Sequence, residues 1–162
     1  MSFGFTNISL ENLARATAVI LVVASLVLFV RSVAAVVDPI NKNLFGTALK
    51  GYDPVAYFKE SRPVKGKDEF RHDWMGAKWY FANAANRDEF AKNPEKYAPQ
   101  FGGYCSWAVA HGYTASIDPE AWKIVEGKLY LNYSKDVQKK WEQNVPGFTK
   151  KGNENWPKLI KK

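Results

Sequence analysis

Lys123-Ile124-Val125-Glu126-Gly127-Lys128-Leu129-Tyr130-Leu131 is the stretch that decides the fold class. Two short runs rich in β-branched, aliphatic and aromatic residues flank Glu126-Gly127, a dipeptide suited to a two-residue hairpin turn. A second pair of strands is expected upstream, at residues 69–72 and 78–81, with Met75-Gly76 in the turn between them. Helix signals surround both hairpins. Asp53-Pro54 reads as an N-cap with proline at the first helical position. Asn83 and Ser134 open helices expected over 84–92 and 135–144, and Asn93-Pro94 ends the first of these before one further turn to Tyr97. Gly102-Gly103 breaks the chain ahead of a helix at 104–110, and Pro146-Gly147 stops the last helix. Neither βαβ alternation nor an internal repeat is legible. The expectation is an α+β fold: a small antiparallel sheet of all four strands with short flanking helices, preceded by one apolar N-terminal helix.

The 162 residues are 46% apolar and 15% aromatic, which excludes disorder for the bulk of the chain. All six Trp and all eight Tyr fall at or after Tyr52. Ahead of them, Ala16 to Val30 is an uncharged apolar run between Arg15 and Arg31. Its fifteen residues span about 22 Å as a helix, short of a hydrocarbon core of about 30 Å. Continued to Val37 the run is long enough, with Arg31 snorkelling. Residues 1–37 therefore read as a signal peptide, cut near Ser32-Val33-Ala34-Ala35, or as a retained membrane anchor. Either places the domain outside the cytoplasm, in the periplasm or on the outer face of the inner membrane. A globular domain is expected over 45–148 and a basic tail over 149–162, which is either a solvated tail that improves solubility or a surface for anionic lipid or an acidic partner, with Lys150, Lys151, Lys158, Lys161 and Lys162 around Trp156 as an interfacial anchor. The net charge of +7 is dispersed rather than gathered on one face, so nucleic acid is not an expected partner. The expected partners are the membrane, through residues 16–37 if uncleaved, and a membrane protein complex.

Catalytic motifs are absent: there is no G-x-S-x-G, H-E-x-x-H, Walker A or G-x-G-x-x-G. An enzyme is not expected. His72 and His111 are the only histidines, and the single Cys105 excludes a disulfide or a Cys-pair zinc site within one chain. Cys105 follows Gly102-Gly103 where a helix is expected to start, and free N–H groups there would lower the thiol pKa. The competing reading makes Cys105 a small buried residue between Tyr104 and Trp107.

Several segments together carry a resemblance. Gly51-Tyr-Asp-Pro-Val-Ala-Tyr-Phe58, Lys78-Trp-Tyr-Phe81, Asn93-Pro-Glu-Lys-Tyr97, Phe101-Gly-Gly-Tyr-Cys105 and Asp118-Pro-Glu-Ala-Trp122 through Tyr133 are similar to the bacterial YHS domain-containing proteins. The resemblance covers residues 45 to 160 and implies a small, commonly exported α+β domain related to heavy-metal-binding modules of copper-transporting ATPases. Some relatives carry selenocysteine at the position aligned with Cys105. The metal-binding form has one cysteine after D-P-V and two more in Y-F-C-x-x-x-C, places held here by Ala56, Ala82 and Asn86. Soft metals need such thiolates. A copper or zinc ion would have to use Cys105 with His111 and His72, and the implied function is a metal-handling or thiol-redox accessory protein centred on Cys105. The alternative is a non-catalytic membrane-tethered interaction module or accessory subunit, in which Cys105 only packs.

Overall fold

The computed structural model describes residues 37–160. The chain divides into two units, Met1–Ala35 and Val36–Lys162. The expected apolar helix, with its signal-peptide and anchor readings, lies outside the described residues, as do Lys161 and Lys162. Among the described residues no helix is long and apolar enough to cross a membrane.

A 3-10 turn at Leu49–Gly51 leads into α1 (Pro54–Lys59), β1 (Lys67–Trp74), β2 (Ala77–Phe81), α2 (Ala84–Lys92) and α3 (Pro94–Tyr97). A second 3-10 turn, Gln100–Gly103, leads into α4 (Ser106–Ala110), β3 (Asp118–Val125), β4 (Lys128–Asn132), α5 (Lys135–Glu142) and α6 (Val145–Leu159). The fold is α+β, and both expected hairpins form, antiparallel and turning at Met75-Gly76 and Glu126-Gly127 with positive φ throughout. They do not join into one sheet. Each is a separate two-stranded ladder, because each packs on the helix that follows it. Trp79 of β2 lies 5.2 Å from Phe90 of α2, and Tyr130 of β4 lies 5.3 Å from Trp141 of α5. Phe90 and Trp141 are both fully buried.

Those matching distances belong to an internal repeat, which corrects the reading that none exists. β1 and β3 start at Lys67 and Asp118, the turns begin at Met75 and Glu126, and α2 and α5 start at Ala84 and Lys135, each fifty-one positions apart. The caps before α2 and α5 share one conformation: Asn83 has φ −155°, ψ 167°, and Ser134 has φ −156°, ψ 167°. Asn93 and Asn144, which cap the next helices, have φ −151°, ψ 73° and φ −153°, ψ 66°. Both hairpins carry a register shift at the same place, Lys67/Arg71 in one and Asp118/Trp122 in the other. Upstream the spacing is fifty-two, so Gly51-Tyr52-Asp53 answers to Gly103-Tyr104-Cys105. The second half is one residue shorter between its first helix and first strand. Outside the caps and turns few side chains are shared, and for that reason the sequence does not display the repeat.

The second half departs from the first at its end. α5 ends at Glu142, ahead of Pro146 as expected, but residues read as a basic tail form a further helix through Leu159, in whose first turn the missing N–H of Pro146 is tolerated. The buried Gly152 lets α6 close on the second 3-10 turn; a Cβ there would come within 2.5 Å of the Phe101 ring. Trp156 packs against Phe101 and Tyr104 at 6.1 and 5.8 Å between ring centres. Trp156 is thus part of the domain's packing, not a free interfacial anchor. Asn155 Nδ2 donates to the carbonyls of Val109 and Ala110, both at 3.1 Å, satisfying the end of α4.

Candidate functional site

The repeat places Asp53 and Cys105 in equivalent positions. Each is the N-cap of its short helix. The backbone N–H of Asp53 donates to Val64 O at 2.8 Å, and that of Cys105 donates to Ala115 O at 3.0 Å. Both side chains are buried, Asp53 at 0% and Cys105 at 1% exposure.

Around Asp53 four donors converge. Oδ1 accepts the N–H of Val55 at 2.8 Å and of Ala56 at 3.2 Å. Oδ2 accepts the N–H of Ala82 at 2.9 Å and Nδ2 of Asn86 at 2.7 Å. All four partners are donors, which suits an acceptor-only carboxylate with its lone pairs taken. This one side chain ties together the start of α1, the end of β2 and the first turns of α2. Sequence reasoning identified Asp53 only as a local cap; its long-range partners follow from the hairpin bringing Ala82 and Asn86 back to it.

Ala56, Ala82 and Asn86 are the places where the resemblance puts cysteine in the metal-binding form, and all three donate to Asp53. The corner therefore has two methyl groups, one carboxamide and a carboxylate with its acceptor sites already used. Those residues do not fit a soft metal ion, which takes thiolates. The other expected ligand set does not assemble either. Among the described residues no three His, Cys, Asp or Glu side chains form a group able to hold a metal. His72 on β1 packs edge-on to Phe90, 6.0 Å between ring centres. His111 ends α4 with its ring 4.3 Å from Trp107 and Nδ1 2.7 Å from the Trp107 carbonyl. Cys105, His72 and His111 therefore do not make one coordination set within this chain.

At Cys105 the first expectation on the thiol is also corrected. Burial pushes its pKa up; the nearby backbone N–H groups of Ala108, Tyr133 and Trp107 oppose that shift without overcoming it, and unlike Asp53 the Cys105 side chain makes no cap hydrogen bond. These three N–H groups match Ala56, Ala82 and Val55 around Asp53 by the spacings of the repeat. The thiol donates to Asn132 Oδ1 at 3.9 Å, and the same oxygen accepts the Trp107 N–H at 3.2 Å. Asn132 is fully buried, and sequence reasoning missed it because it ends a strand at a position where the first half has the apolar Phe81. A separate cleft of about 500 Å3 opens between the β3–β4 turn and α6, with Lys128, Tyr130, Thr149 and Glu154 in its wall, and touches neither Asp53 nor Cys105.

The comparisons with known proteins agree with the first half of this description. No curated protein and no solved structure matches the chain. The family model of the YHS domain matches residues 55–101, from the first turn of α1 to the second 3-10 turn. Residues 55–101 are a YHS domain, followed by a second half that repeats its backbone plan.

Proposed function

We propose that the chain is an exported accessory protein whose chemistry is that of a buried thiol, Cys105, rather than of a thiolate metal centre. The YHS match supports a metal-related module in general terms. The observation that carries the finer reading is that Cys105 holds the buried N-cap place equivalent to that of Asp53, whose carboxylate is saturated by donors. A thiol so placed is shielded at rest and becomes reactive when α4 or Tyr133 moves aside. Export rests on the apolar run Ala16–Val30.

The test is the rate at which a small thiol reagent labels Cys105 in the native full chain, with copper and zinc measured on the same sample. The expected result is slow native labelling that outpaces global unfolding, and no stoichiometric metal. Labelling only at the rate of global unfolding would end the thiol reading. One retained equivalent of copper or zinc, lost in Cys105→Ser, would turn it into a metal site.

The second reading, an interaction module, is favoured by a specific patch. Leu44 and Phe45 are 102% and 81% exposed, and Met75 is 53% exposed. Their turns adjoin, since Lys78 N–H donates to Gly46 O at 2.7 Å and Lys42 Nζ to Gly76 O at 3.0 Å. If that patch is the working surface, Leu44→Ser with Phe45→Ser abolishes function while Cys105→Ser preserves it.

A further inference from the structure

Residues 42–48 close into a loop with an apolar tip. Lys42 pairs with Ala48 at its base. Asn43 fixes the turn: its Oδ1 accepts the N–H groups of Phe45 and Thr47, both at 2.9 Å, and its own N–H donates to Thr47 O at 3.1 Å. The turn holds Leu44 and Phe45 outward, at 102% and 81% exposure. Met75 joins them from the β1–β2 turn, which Lys42 Nζ ties to the loop through Gly76 O. A tip already held in shape loses little conformational freedom when its side chains are covered.

The same loop forms a wall of a small hollow of about 130 Å3. Asn41, Lys42, Asn43, Thr47, Lys50 and Ser116 line it, and no carboxylate does. Lys42 Nζ is shared between Asp38 Oδ2 at 2.7 Å and Gly76 O at 3.0 Å. The Lys50 ammonium has no carboxylate partner among the described residues. Lys50 is held in the left-handed region, φ 50°, next to Leu49 at φ 49°. Non-glycine residues stay in that region only where their surroundings impose it. Two ammonium groups, two hydroxyls and carboxamides around so small a space suit a phosphate. Hollow and tip together match the two parts of an anionic phospholipid, its headgroup and its acyl chains.

We propose that loop 42–48 docks on an anionic phospholipid surface, with Leu44, Phe45 and Met75 in the acyl boundary and a headgroup phosphate in the hollow beside Lys50. The inference rests on the second reading above and deepens it, naming lipid as what the patch meets; it is independent of Cys105. Chain length favours lipid over a protein. The apolar run read from the sequence ends at Val37, seven residues ahead of Leu44. Seven residues of extended chain reach about 25 Å at most, so a run retained in a membrane keeps the loop close to that membrane's surface. One weak membrane signal gives reversible binding, and a second one makes anchoring stable. Lysines at the interface add attraction to anionic headgroups.

The test reconstitutes the full chain in vesicles of phosphatidylglycerol or of phosphatidylcholine. An environment-sensitive fluorophore on Met75→Cys, in a Cys105→Ala background, reports insertion, and one on Lys139→Cys is the control. The expected result is blue-shifted emission at residue 75 on phosphatidylglycerol, with residue 139 in water on both lipids. Lys50→Gln is expected to lower the ratio of inserted to free tip about fivefold, and Leu44→Ser with Phe45→Ser to abolish insertion. Hydrogen exchange of the unlabelled wild type on the same vesicles serves if the labelled variants do not fold; slowing confined to residues 42–50 and 74–77 is expected. A tip that stays in water, or that inserts equally into phosphatidylcholine, overturns the inference. So does shielding without vesicles that rises with protein concentration, which assigns the tip to a second copy of the chain. Lys50-dependent stabilisation by inorganic phosphate without insertion assigns the hollow to a soluble anion and also overturns it. If the tip stays in water while Leu44→Ser with Phe45→Ser still abolishes function, the lipid inference fails and the second reading survives; if function is also unaffected, both fail.

Discussion

The two halves of this molecule solve the same backbone problem with different side chains. In the first, a carboxylate caps the opening helix and reaches across to the end of the hairpin, so four donors are matched by one residue. In the second, the same place holds a thiol that makes no cap hydrogen bond, and the buried side chains of Ser106 and Asn132 each keep one polar atom without a partner. A buried group that is fully hydrogen-bonded specifies structure; one left partly satisfied marks a place where stability has been given up. The first half therefore reads as the structural anchor of the pair and the second as its chemically open member. The second half also extends α6 over its own 3-10 turn, which the four-residue α3 of the first half cannot do.

The largest expected effect is at the saturated niche. Asp53→Ala leaves four donors unmatched and is expected to cost about 4 kcal/mol, read from denaturant unfolding; a cost under about 1 kcal/mol would remove the distinction between the halves. Gly152→Ala drives a methyl into the Phe101 ring and is expected to cost about 2 kcal/mol in the same measurement, unless α6 is not docked as described. Cys105→Ser is expected to cost about 1 kcal/mol or less, because the hydroxyl enters an N-cap place with backbone N–H groups nearby. The smallest effect is with pH. Burial raises the pKa of Cys105 and of Tyr57, Tyr104 and Tyr130 above their ordinary values of 9.0 and 10.0. The unfolded chain then releases protons at lower pH than the folded one, so stability holds below about pH 9 and falls as pH rises through the folded values. Cys105→Ala is expected to soften the first part of that fall, and an unchanged alkaline profile would contradict it.

Much of the fold was readable because its signals are local. Glu126-Gly127, Met75-Gly76, Asn83, Ser134 and Asp53-Pro54 each act within a few residues, and each occupies its expected turn or cap. Failures came where distant partners decide. α5 does end just ahead of Pro146-Gly147, but the further helix α6 was read as a tail, because the close approach of Gly152 to Phe101 that docks it joins residues fifty-one positions apart. Cys105 stands behind two glycines, as a reactive thiol would, but burial by the surrounding core outweighs the nearby N–H groups. The pairing of Gly51-Tyr52-Asp53 with Gly103-Tyr104-Cys105 was present in the sequence, yet three residues at a shifted spacing are too few to display a repeat without the backbone.

The central claim is that Cys105 holds the N-cap place in the second half that Asp53 holds in the first, so that an aspartate there meets the N–H groups of Trp107, Ala108 and Tyr133 as Asp53 meets those of Val55, Ala56 and Ala82. Amide proton chemical shifts in Cys105→Asp, compared with the wild type, test it most directly. The account predicts downfield movement concentrated at Trp107, Ala108 and Tyr133, towards the values of their first-half counterparts, as charge-assisted hydrogen bonds form. Shifts scattered through the second half, or none at these three amides, would contradict it.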